Sequence, residues 1–303
     1  MIIDGKAIAA GIQEEFRQII SSIEGRKPCL AVLLVGSDPA SEIYVSRKTK
    51  ACEMVGINSI KEHLNADISE TELLSHIQRL NNDPSVDGIL VQLPLPDHIN
   101  SMKVTMAISP EKDVDGFHPI NLGKLVIDDD SGYTPCTPLG IRVLLSKCGI
   151  ETRGKNIVIV GRSTIVGKPM ASLFMGRGDG GDATVTIANR HTSNLKNLCL
   201  SADIIVAAVG QANFISEEMV KEGAIVIDVG INRVDDTSRK RGYRIVGDVD
   251  FENLEDKCSH ITPVPGGVGP MTIAMLLNNT IKSFRKSQSQ QVKELCLNEF
   301  SYY

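Results

Sequence analysis

A tyrosine and a lysine stand four residues apart in the stretch YVSRK. A helix brings such residues onto one face, so Tyr44 and Lys48 would lie side by side if this stretch is helical. A lysine beside an aromatic ring can move protons next to a flat ligand. The same spacing also occurs on ordinary solvent-exposed helices, and the pair alone does not distinguish the two interpretations.

A glutamine closes the apolar run VDGILVQL, directly before the proline-rich loop PLPDH. Parallel sheets place ligand contacts at the carboxyl ends of their strands, which is where Gln92 would lie. Gln92 therefore either contacts a ligand or satisfies the backbone of the loop that follows.

Two carboxylates alternate around Val114 just before Gly116. This spacing prevents Asp113 and Asp115 from sharing a helical face, so we expect one to brace the turn and the other to point into a cleft. A glycosidase pair or a magnesium site would need further partners, and the neighbouring sequence supplies none.

A buried strand, NIVIV, runs into Gly161 and then into a helix that begins at Gly167. A strand, a glycine turn and a helix N-terminus form a phosphate site, because unpaired N–H groups and the helix dipole point to one place. The pattern departs from G-x-G-x-x-G, since Arg162 replaces the second glycine. It also lacks the Ser or Thr that follows the lysine of a P-loop.

The end of the next strand, TVTIA, bears on which dinucleotide is bound. An acidic residue there binds the ribose of NAD, whereas an arginine accommodates the 2′-phosphate of NADP. Here Asn189 and Arg190 follow the strand, and Arg162 comes from the neighbouring turn. The sequence predicts NADP; the alternative is two solvated surface arginines.

Prolines and glycines crowd the stretch ITPVPGGVGPMT, residues 261–272. We expect an irregular loop that a flat ligand approaches closely, followed by a helix from Thr272 to Ile281. Earlier in the chain, Thr137 is expected to cap a helix from Pro138 to Cys148 after the extended segment YTPCTP.

Strands alternate with helices throughout, which predicts parallel βαβ units. The fold class is α/β with two domains, an N-terminal α/β substrate domain and a Rossmann-like doubly wound NADP-binding domain, with a cleft between them. We expect residues 1–138 to form the first domain, joined by a C-terminal helix 271–303, and residues 139–270 to form the second. The strands predicted for the second domain are Asn156–Val160, Ala183–Ala188, Asp203–Val209, Ala224–Val229 and Tyr243–Val246.

Composition narrows the class of protein. The 303 residues carry a net charge of -5 with scattered Lys and Arg, which argues against nucleic-acid and membrane-surface partners. The N-terminus has no signal region, and no apolar run approaches membrane-spanning length. Seven cysteines without a CxxC pair and six isolated histidines favour reduced thiols and no metal site. We expect a cytoplasmic protein.

Together these stretches resemble the bifunctional methylenetetrahydrofolate dehydrogenase/methenyltetrahydrofolate cyclohydrolase family. The resemblance covers Met1 to Phe284 and runs in order through YVSRK, DGILVQLPLP, PEKDVDGF, PCTP, VGRSTIVGKP, VIDVGIN, VGDV and ITPVPGGVGPMT. It implies oxidation of 5,10-methylenetetrahydrofolate by NADP, hydrolysis of the methenyl product to 10-formyltetrahydrofolate, and a homodimer.

The resemblance also implies roles for individual residues. Lys48 would be the catalytic residue of the hydrolysis, and Gln92 would orient it. Tyr44 would stack on the folate, and Asp115 would hold the pterin ring. The other folate contacts implied are Leu93, Pro265, Gly266 and Gly269. The dinucleotide contacts implied are Thr137, Gly161, Arg162, Ser163, Val166, Ile231 and Thr272.

The sequence departs from the family in three places. Many members have His-Ser where this chain has Asn189-Arg190, so we infer that Arg190 contacts the 2′-phosphate, unless the shift places His191 or Thr192 there. The loop Gly176–Asp182 is long and glycine-rich, and the segment after Ser283 is expected to be a polar extension.

Three alternatives follow from the same residues. A relative that lacks one activity is disfavoured by the complete set Tyr44, Lys48, Gln92 and Asp115. A short-chain-type dehydrogenase with Tyr44 as the acid would place its YxxxK after the glycine turn, not before it. A nucleotide-binding protein without catalysis is the third.

Overall fold

The computed structural model describes residues 1–239 and 242–288. In the first half of the chain, helices and strands alternate around a three-stranded parallel sheet with the strand order β2-β1-β3, called here the first sheet. Its elements are α1 (Gly5–Ser22), β1 (Cys29–Val35), α2 (Pro39–Val55), β2 (Asn58–Leu64), α3 (Glu70–Asn82), β3 (Gly88–Val91), α4 (Ser101–Ala107), α5 (Pro119–Val126) and α6 (Cys136–Lys147).

The rest of the chain builds a five-stranded parallel sheet with the order β10-β7-β6-β4-β5, the second sheet. Its elements are β4 (Asn156–Val160), α7 (Gly167–Met175), β5 (Thr184–Ala188), α8 (Leu195–Ser201), β6 (Ile204–Ala207), β7 (Ile225–Asp228), β8 (Asn232–Asp235), β9 (Tyr243–Val246), α9 (Phe251–Leu254), β10 (His260–Ile261) and α10 (Val268–Ser287). The chain leaves β4 to one side for β5 and returns to its other side for β6. This reversal opens a crevice at the carboxyl end of β4, and the predicted doubly wound fold is confirmed.

Local sequence signals account for the helix that carries the tyrosine and the lysine. Asp38 caps α2 by accepting the N–H of Ser41, and Pro39 follows, where its missing N–H costs nothing. Gly56 ends the helix in the left-handed conformation with φ of 85°. The helix connects β1 to β2 and packs against both strands, and every residue of β1 is buried.

Helix α10 packs along α6 and α1 and contacts the first sheet. Its buried residues Met271, Leu277 and Phe284 belong to a hydrophobic cluster that also contains Leu30 of β1 and Ile159 of β4. One continuous core therefore joins the first sheet, the second sheet and α10.

One strand predicted for the second sheet is wrong, and one strand was missed. Tyr243–Val246 does not join the sheet but pairs antiparallel with Asn232–Asp235; no residue of either strand is fully buried, so the pair offers no face to the core. The fifth strand is instead β10, which is only two residues long and was not predicted. Between β6 and β7 the chain forms only a short 3-10 helix, Glu217–Met219.

Helix boundaries differ from prediction where prolines occur in a first turn. Helix α6 begins at Cys136 with Pro135 as its N-cap, so Thr137 does not cap it but lies within its first turn. Helix α10 begins at Val268 and includes Pro270, so the second half of the stretch expected to be irregular is helical. Proline is tolerated in both first turns because N–H groups there have no partner within the helix.

The boundary predicted after residue 138 falls inside α6, and the division into 1–138 and 139–270 stays a prediction. Helix α10 continues past Ser283 to Ser287 and buries Phe284, so the polar extension does not begin where expected. The helix predicted over 271–303 lies outside the described residues beyond residue 288. Within residues 1–239 and 242–288, no helix is long and apolar enough to cross a membrane.

Candidate active site

Lys48 and Gln92 meet at the carboxyl edge of the first sheet. Lys48 is 9% exposed, and its Nζ donates to Gln92 Oε1 over 3.1 Å. Gln92 is fixed in turn, since its backbone N–H donates to Leu33 O at 2.9 Å and its Nε2 donates to Leu93 O at 2.6 Å. Gln92 therefore satisfies loop backbone and also holds the lysine, and its contact with a ligand stays a prediction.

Tyr44 lies one turn before Lys48 on the same face of α2 and is half-buried. Burial raises the pKa of its phenol above the ordinary value of 10.0, so the ring is neutral near neutral pH. A neutral aromatic ring beside a lysine offers a stacking surface for a flat heterocycle. Leu93, also half-buried, follows Gln92 at the same edge.

Asp113 is the carboxylate that braces the turn. It is 2% exposed and accepts the N–H groups of Phe117 at 3.2 Å and His118 at 2.8 Å, as well as the Asn121 side chain at 2.8 Å. Burial, helped by the charge of the neighbouring Asp115, raises its pKa to about 7 against these hydrogen bonds. Both of its carboxylate oxygens already accept hydrogen bonds from the protein.

Asp115 is the carboxylate available to a ligand. Burial raises its pKa above the ordinary 3.8, whereas the nearby charge of Lys48 and a hydrogen bond from the Cys136 thiol lower it. The electrostatic interaction with Lys48 places these two groups in one site. The structure thus brings together Tyr44, Lys48, Gln92 and Asp115. Asp113 differs from them because it accepts hydrogen bonds from the protein itself.

The loop between β10 and α10 presents backbone and little side chain. Pro265 is exposed, and Gly266 adopts φ of 115°, a conformation that disfavours other residues. A Cβ on Gly269 would meet no atom within 4 Å, so space lies open beside it. These are the features that close approach of a flat ligand requires.

The turn after β4 requires glycine at two positions because neighbouring backbone atoms leave no space for a side chain. A Cβ on Gly161, whose φ is 137°, would lie 2.2 Å from Ala208 O, and a Cβ on Gly167 would lie 2.2 Å from Gly161 O. Any larger residue at either position would push the turn off the sheet. The turn therefore lies directly against the carboxyl end of β6.

The amides at the start of α7 are not free, contrary to expectation. Ser163 Oγ accepts the N–H of Val166 at 3.1 Å and of Gly167 at 3.4 Å, and Ser163 O accepts the N–H of Lys168. The N–H groups of residues 162–165 instead donate to no group in the described part of the chain. A phosphate would meet those four amides and the positive end of the helix dipole.

Arg162 and Arg190 follow neighbouring strands at the same edge of the second sheet, since Val160 pairs with Ala188. Both arginines are exposed, and Arg190 Nε donates to His191 Nε2 at 3.2 Å. Asn189 Oδ1 is occupied by the N–H of His191. The ends of β4 and β5 present two cations and no carboxylate, which fits a phosphate better than a free ribose hydroxyl.

Sequence reasoning missed Asp248, which organises the same edge. This carboxylate is fully buried and accepts the N–H groups of Val209 at 2.6 Å, Gly210 at 2.9 Å and Gln211 at 2.9 Å. It also accepts the side-chain amide of Asn232 at 2.8 Å. An aspartate between apolar residues and glycine, as in VGDV, was the available signal.

Asp228 continues this network. It accepts the N–H groups of Gly230, Asp248 and Val249 at 2.9, 2.9 and 3.0 Å. Burial raises its pKa to about 6 against those three bonds. The two aspartates hold the loops on either side of Ile231, whose side chain is 52% exposed and projects from the ordered edge.

Thr137 and Thr272 join the two helices that border the site. Their hydroxyl oxygens are 3.0 Å apart, which links the first turn of α6 to that of α10. The described residues contain no group of three His, Cys, Asp or Glu side chains able to hold a metal ion. The site therefore combines backbone, amide, hydroxyl and cationic groups.

Two family models cover most of the chain. The tetrahydrofolate dehydrogenase/cyclohydrolase catalytic domain matches residues 3–115, and the NAD(P)-binding domain of the same family matches residues 135–288. The Bifunctional protein FolD of Protochlamydia amoebophila (strain UWE25) is 61% identical over 289 residues, which are 95% of this chain and 99% of that protein.

Solved structures agree with these matches. The bifunctional FolD methylenetetrahydrofolate dehydrogenase/cyclohydrolase of Campylobacter jejuni is 51% identical, with a TM-score of 0.89 over 95% of this chain and 99% of that one. The Trypanosoma brucei enzyme, solved with NADP cofactor and inhibitor, is 38% identical, with a TM-score of 0.90 over 95% and 98%. The resemblance inferred from the motifs is confirmed, and the chain belongs to the tetrahydrofolate dehydrogenase/cyclohydrolase family.

Proposed function

We propose that this chain oxidises 5,10-methylenetetrahydrofolate to 5,10-methenyltetrahydrofolate with NADP and hydrolyses the product to 10-formyltetrahydrofolate. The observation that carries the proposal is the hydrogen bond between Lys48 and Gln92 beside Asp115, in a chain whose second sheet ends in the glycine turn and two arginines. The first set of groups suits proton transfer on a heterocycle, and the second suits a phosphorylated dinucleotide.

In the hydrolysis, water adds to the methenyl carbon and the five-membered ring opens to leave a formyl group. Lys48 carries out the proton transfer of this step. Gln92 keeps the Nζ of Lys48 aimed at the reacting carbon. General acid–base help of this kind contributes about 10²- to 10⁴-fold to rate.

Folate is held by groups around that lysine. Tyr44 stacks on the ring system, and Asp115 accepts hydrogen bonds from the pterin. Leu93 supplies apolar contact at the end of β3. On the opposite side, the backbone of Pro265, Gly266 and Gly269 approaches the folate closely.

When bound, NADP supplies the hydride acceptor. The amides of residues 162–165 and the side chain of Ser163 would hold phosphate oxygens, and Arg162 with Arg190 would hold the 2′-phosphate. The remaining dinucleotide contacts are Thr137, Gly161, Val166, Ile231 and Thr272.

The assembly and location belong to the proposal as well. We propose a homodimer in the cytoplasm, with residues 1–138 and helix α10 forming the folate domain and residues 139–270 the dinucleotide domain. No nucleic acid is expected as a partner, because Lys and Arg are scattered and the net charge is -5.

The test is reduction of NADP, and separately of NAD, by purified protein given 5,10-methylenetetrahydrofolate, with the folate products resolved. Reduction of NADP with 10-formyltetrahydrofolate accumulating is the expected result. If NADP is reduced but 10-formyltetrahydrofolate forms no faster than by spontaneous hydrolysis of the methenyl compound, the chain is a dehydrogenase without cyclohydrolase activity. Bound NADP with unchanged folate would favour a binding protein.

A further inference from the structure

The N-terminal segment lies against the loop that precedes α10. Ile3 is buried and donates its N–H to Ile261 O at 2.8 Å, and the Ile261 N–H donates to Met1 O at 3.0 Å. The segment therefore extends the edge of the second sheet beside β10. Three residues later, the Lys6 N–H donates to Gly266 O at 2.9 Å.

Gly5 makes the tightest contact in this region. A Cβ built on it would lie 2.0 Å from Gly267 O and 2.7 Å from Gly267 C, both backbone atoms. Gly5 is the first residue of α1 and has no positive φ, so the contact with Gly267, not conformation, requires glycine here. Because both sides of the contact are backbone, an added Cβ must displace the loop relative to the start of α1.

The loop cannot move away without losing its own bonds. The Gly267 N–H donates to Pro263 O at 2.9 Å, and a Cβ on Gly267 would lie 2.7 Å from that same oxygen. One side of the loop thus packs against residues 262–263, and the other side contacts Gly5 and Lys6. The backbone of Gly266 and Gly267 is therefore held from both sides.

We propose that residues 3–6 are a positioning element for the folate site: Gly5 and the Lys6 N–H set where the backbone of residues 265–267 meets the pterin. This inference rests on the proposed folate role of that loop. Neither group touches substrate, so both act through Gly266 and Gly267. A displacement near 1 Å at such a contact can cost about 100-fold.

Two pairs of variants test the inference. Gly5→Ala forces Gly267 to move, whereas Gly11→Ala adds the same methyl to the same helix where no atom lies within 4 Å. Lys6→Pro removes the N–H and puts a ring carbon in its place, against Gly266 O, in a first helical turn where proline is otherwise tolerated. Lys6→Ala removes the side chain and keeps the N–H, so the difference between the two Lys6 variants reports the loss of this bond together with the displacement of Gly266.

The measurements are kcat, the KM for 5,10-methylenetetrahydrofolate, the KM for NADP, and Tm. We expect Gly5→Ala, and Lys6→Pro relative to Lys6→Ala, to raise the folate KM by about 10-fold or more with the NADP KM nearly unchanged. Gly11→Ala should match the parent. If Gly5→Ala fails to fold, the two Lys6 variants decide alone.

A further variant separates this inference from the proposed function. Gly269→Val meets no protein atom at its Cβ position, so its effect on folate reports the loop's contact with the ligand. The positioning role is overturned if Gly269→Val raises the folate KM while Gly5→Ala and Lys6→Pro do not. It is also overturned if Gly5→Ala and Lys6→Pro raise the folate KM and the NADP KM equally. If Gly269→Val leaves the folate KM unchanged, the folate role of the loop is overturned and the positioning role with it.

Discussion

The Lys48 ammonium donates to Gln92 Oε1 over 3.1 Å, which ties helix α2 to the carboxyl end of β3. Gln92 cannot turn away, because its own amide nitrogen donates to Leu93 O at 2.6 Å. An ammonium has three donors, and within the described residues only Gln92 accepts from this one. Two donors of Lys48 therefore remain for substrate and water.

Replacement of this lysine should abolish the hydrolysis. We expect Lys48→Met to lower the cyclohydrolase rate by about 10²- to 10⁴-fold, because methionine fills the space but transfers no proton. The assay is the loss of 5,10-methenyltetrahydrofolate, corrected for its spontaneous hydrolysis. Lys50→Met, which removes an exposed lysine of the same helix, is the control, and a wild-type rate in Lys48→Met would refute the role.

Gln92 should matter only through Lys48. We expect Gln92→Ala to lower the hydrolysis rate by about 10-fold or more in the parent and to have no further effect in Lys48→Met, because residues in direct contact act as a unit. A double-mutant cycle on the same assay measures this. Independent, additive losses would show that Gln92 works without the lysine.

The arginine after β5 should set the choice of dinucleotide. Arg190→Ala is expected to weaken NADP binding by about 10- to 150-fold, the range for one charge-assisted hydrogen bond, and to leave NAD binding nearly unchanged. Arg177→Ala removes the same charge from an exposed position in the glycine-rich loop and serves as the control. The measurement is the binding affinity for NADP and for NAD, each titrated into the parent and the two variants. Equal losses of affinity for NADP and NAD in Arg190→Ala would contradict the assignment.

Asp113 should make stability fall as pH rises. Its pKa is raised by burial from 3.8 to about 7, so in the window between these values the folded protein holds a proton that the unfolded chain has lost. Its contribution to the free energy of unfolding is therefore fully present below about pH 4 and is lost as pH rises through about 7.

The comparison is between the parent and Asp113→Asn, which does not titrate. The stability of the parent relative to the variant should decrease by on the order of a few kcal/mol between about pH 4 and pH 8, since one pKa unit is about 1.4 kcal/mol. Urea unfolding at several pH values measures it. A difference that stays constant with pH would mean that Asp113 is ionised throughout.

Patterns confined to a short stretch were predicted well. The buried strand β4, the helical face shared by Tyr44 and Lys48, and the turn at Gly161 each follow from a few consecutive residues, and the structure has them. The wrong assignments involve prolines inside first helical turns and the hairpin of β8 and β9. In those cases, local composition resembled a loop or a sheet strand, and only the packing partner decided the outcome.

Contacts between distant residues were out of reach. Asp248 accepts N–H groups from residues 209–211, more than thirty-five positions earlier, and nothing in the local sequence names those partners. Gln92 could be placed at a strand end, but its bond to Lys48 depends on how α2 packs beside β3. The sequence indicated which edge carries the site and left its internal hydrogen bonds undetermined.

Helix α10 has a consequence for how the chain is made. Its Ser283 donates to Asp87 O and Glu111 O, and its apolar face completes the core against β1. A ribosome adds about 5–20 residues per second, so roughly ten to forty seconds separate the synthesis of β3 from that of α10. During that interval the nascent first sheet lacks its covering helix, so apolar surface that α10 later buries stays open to aggregation.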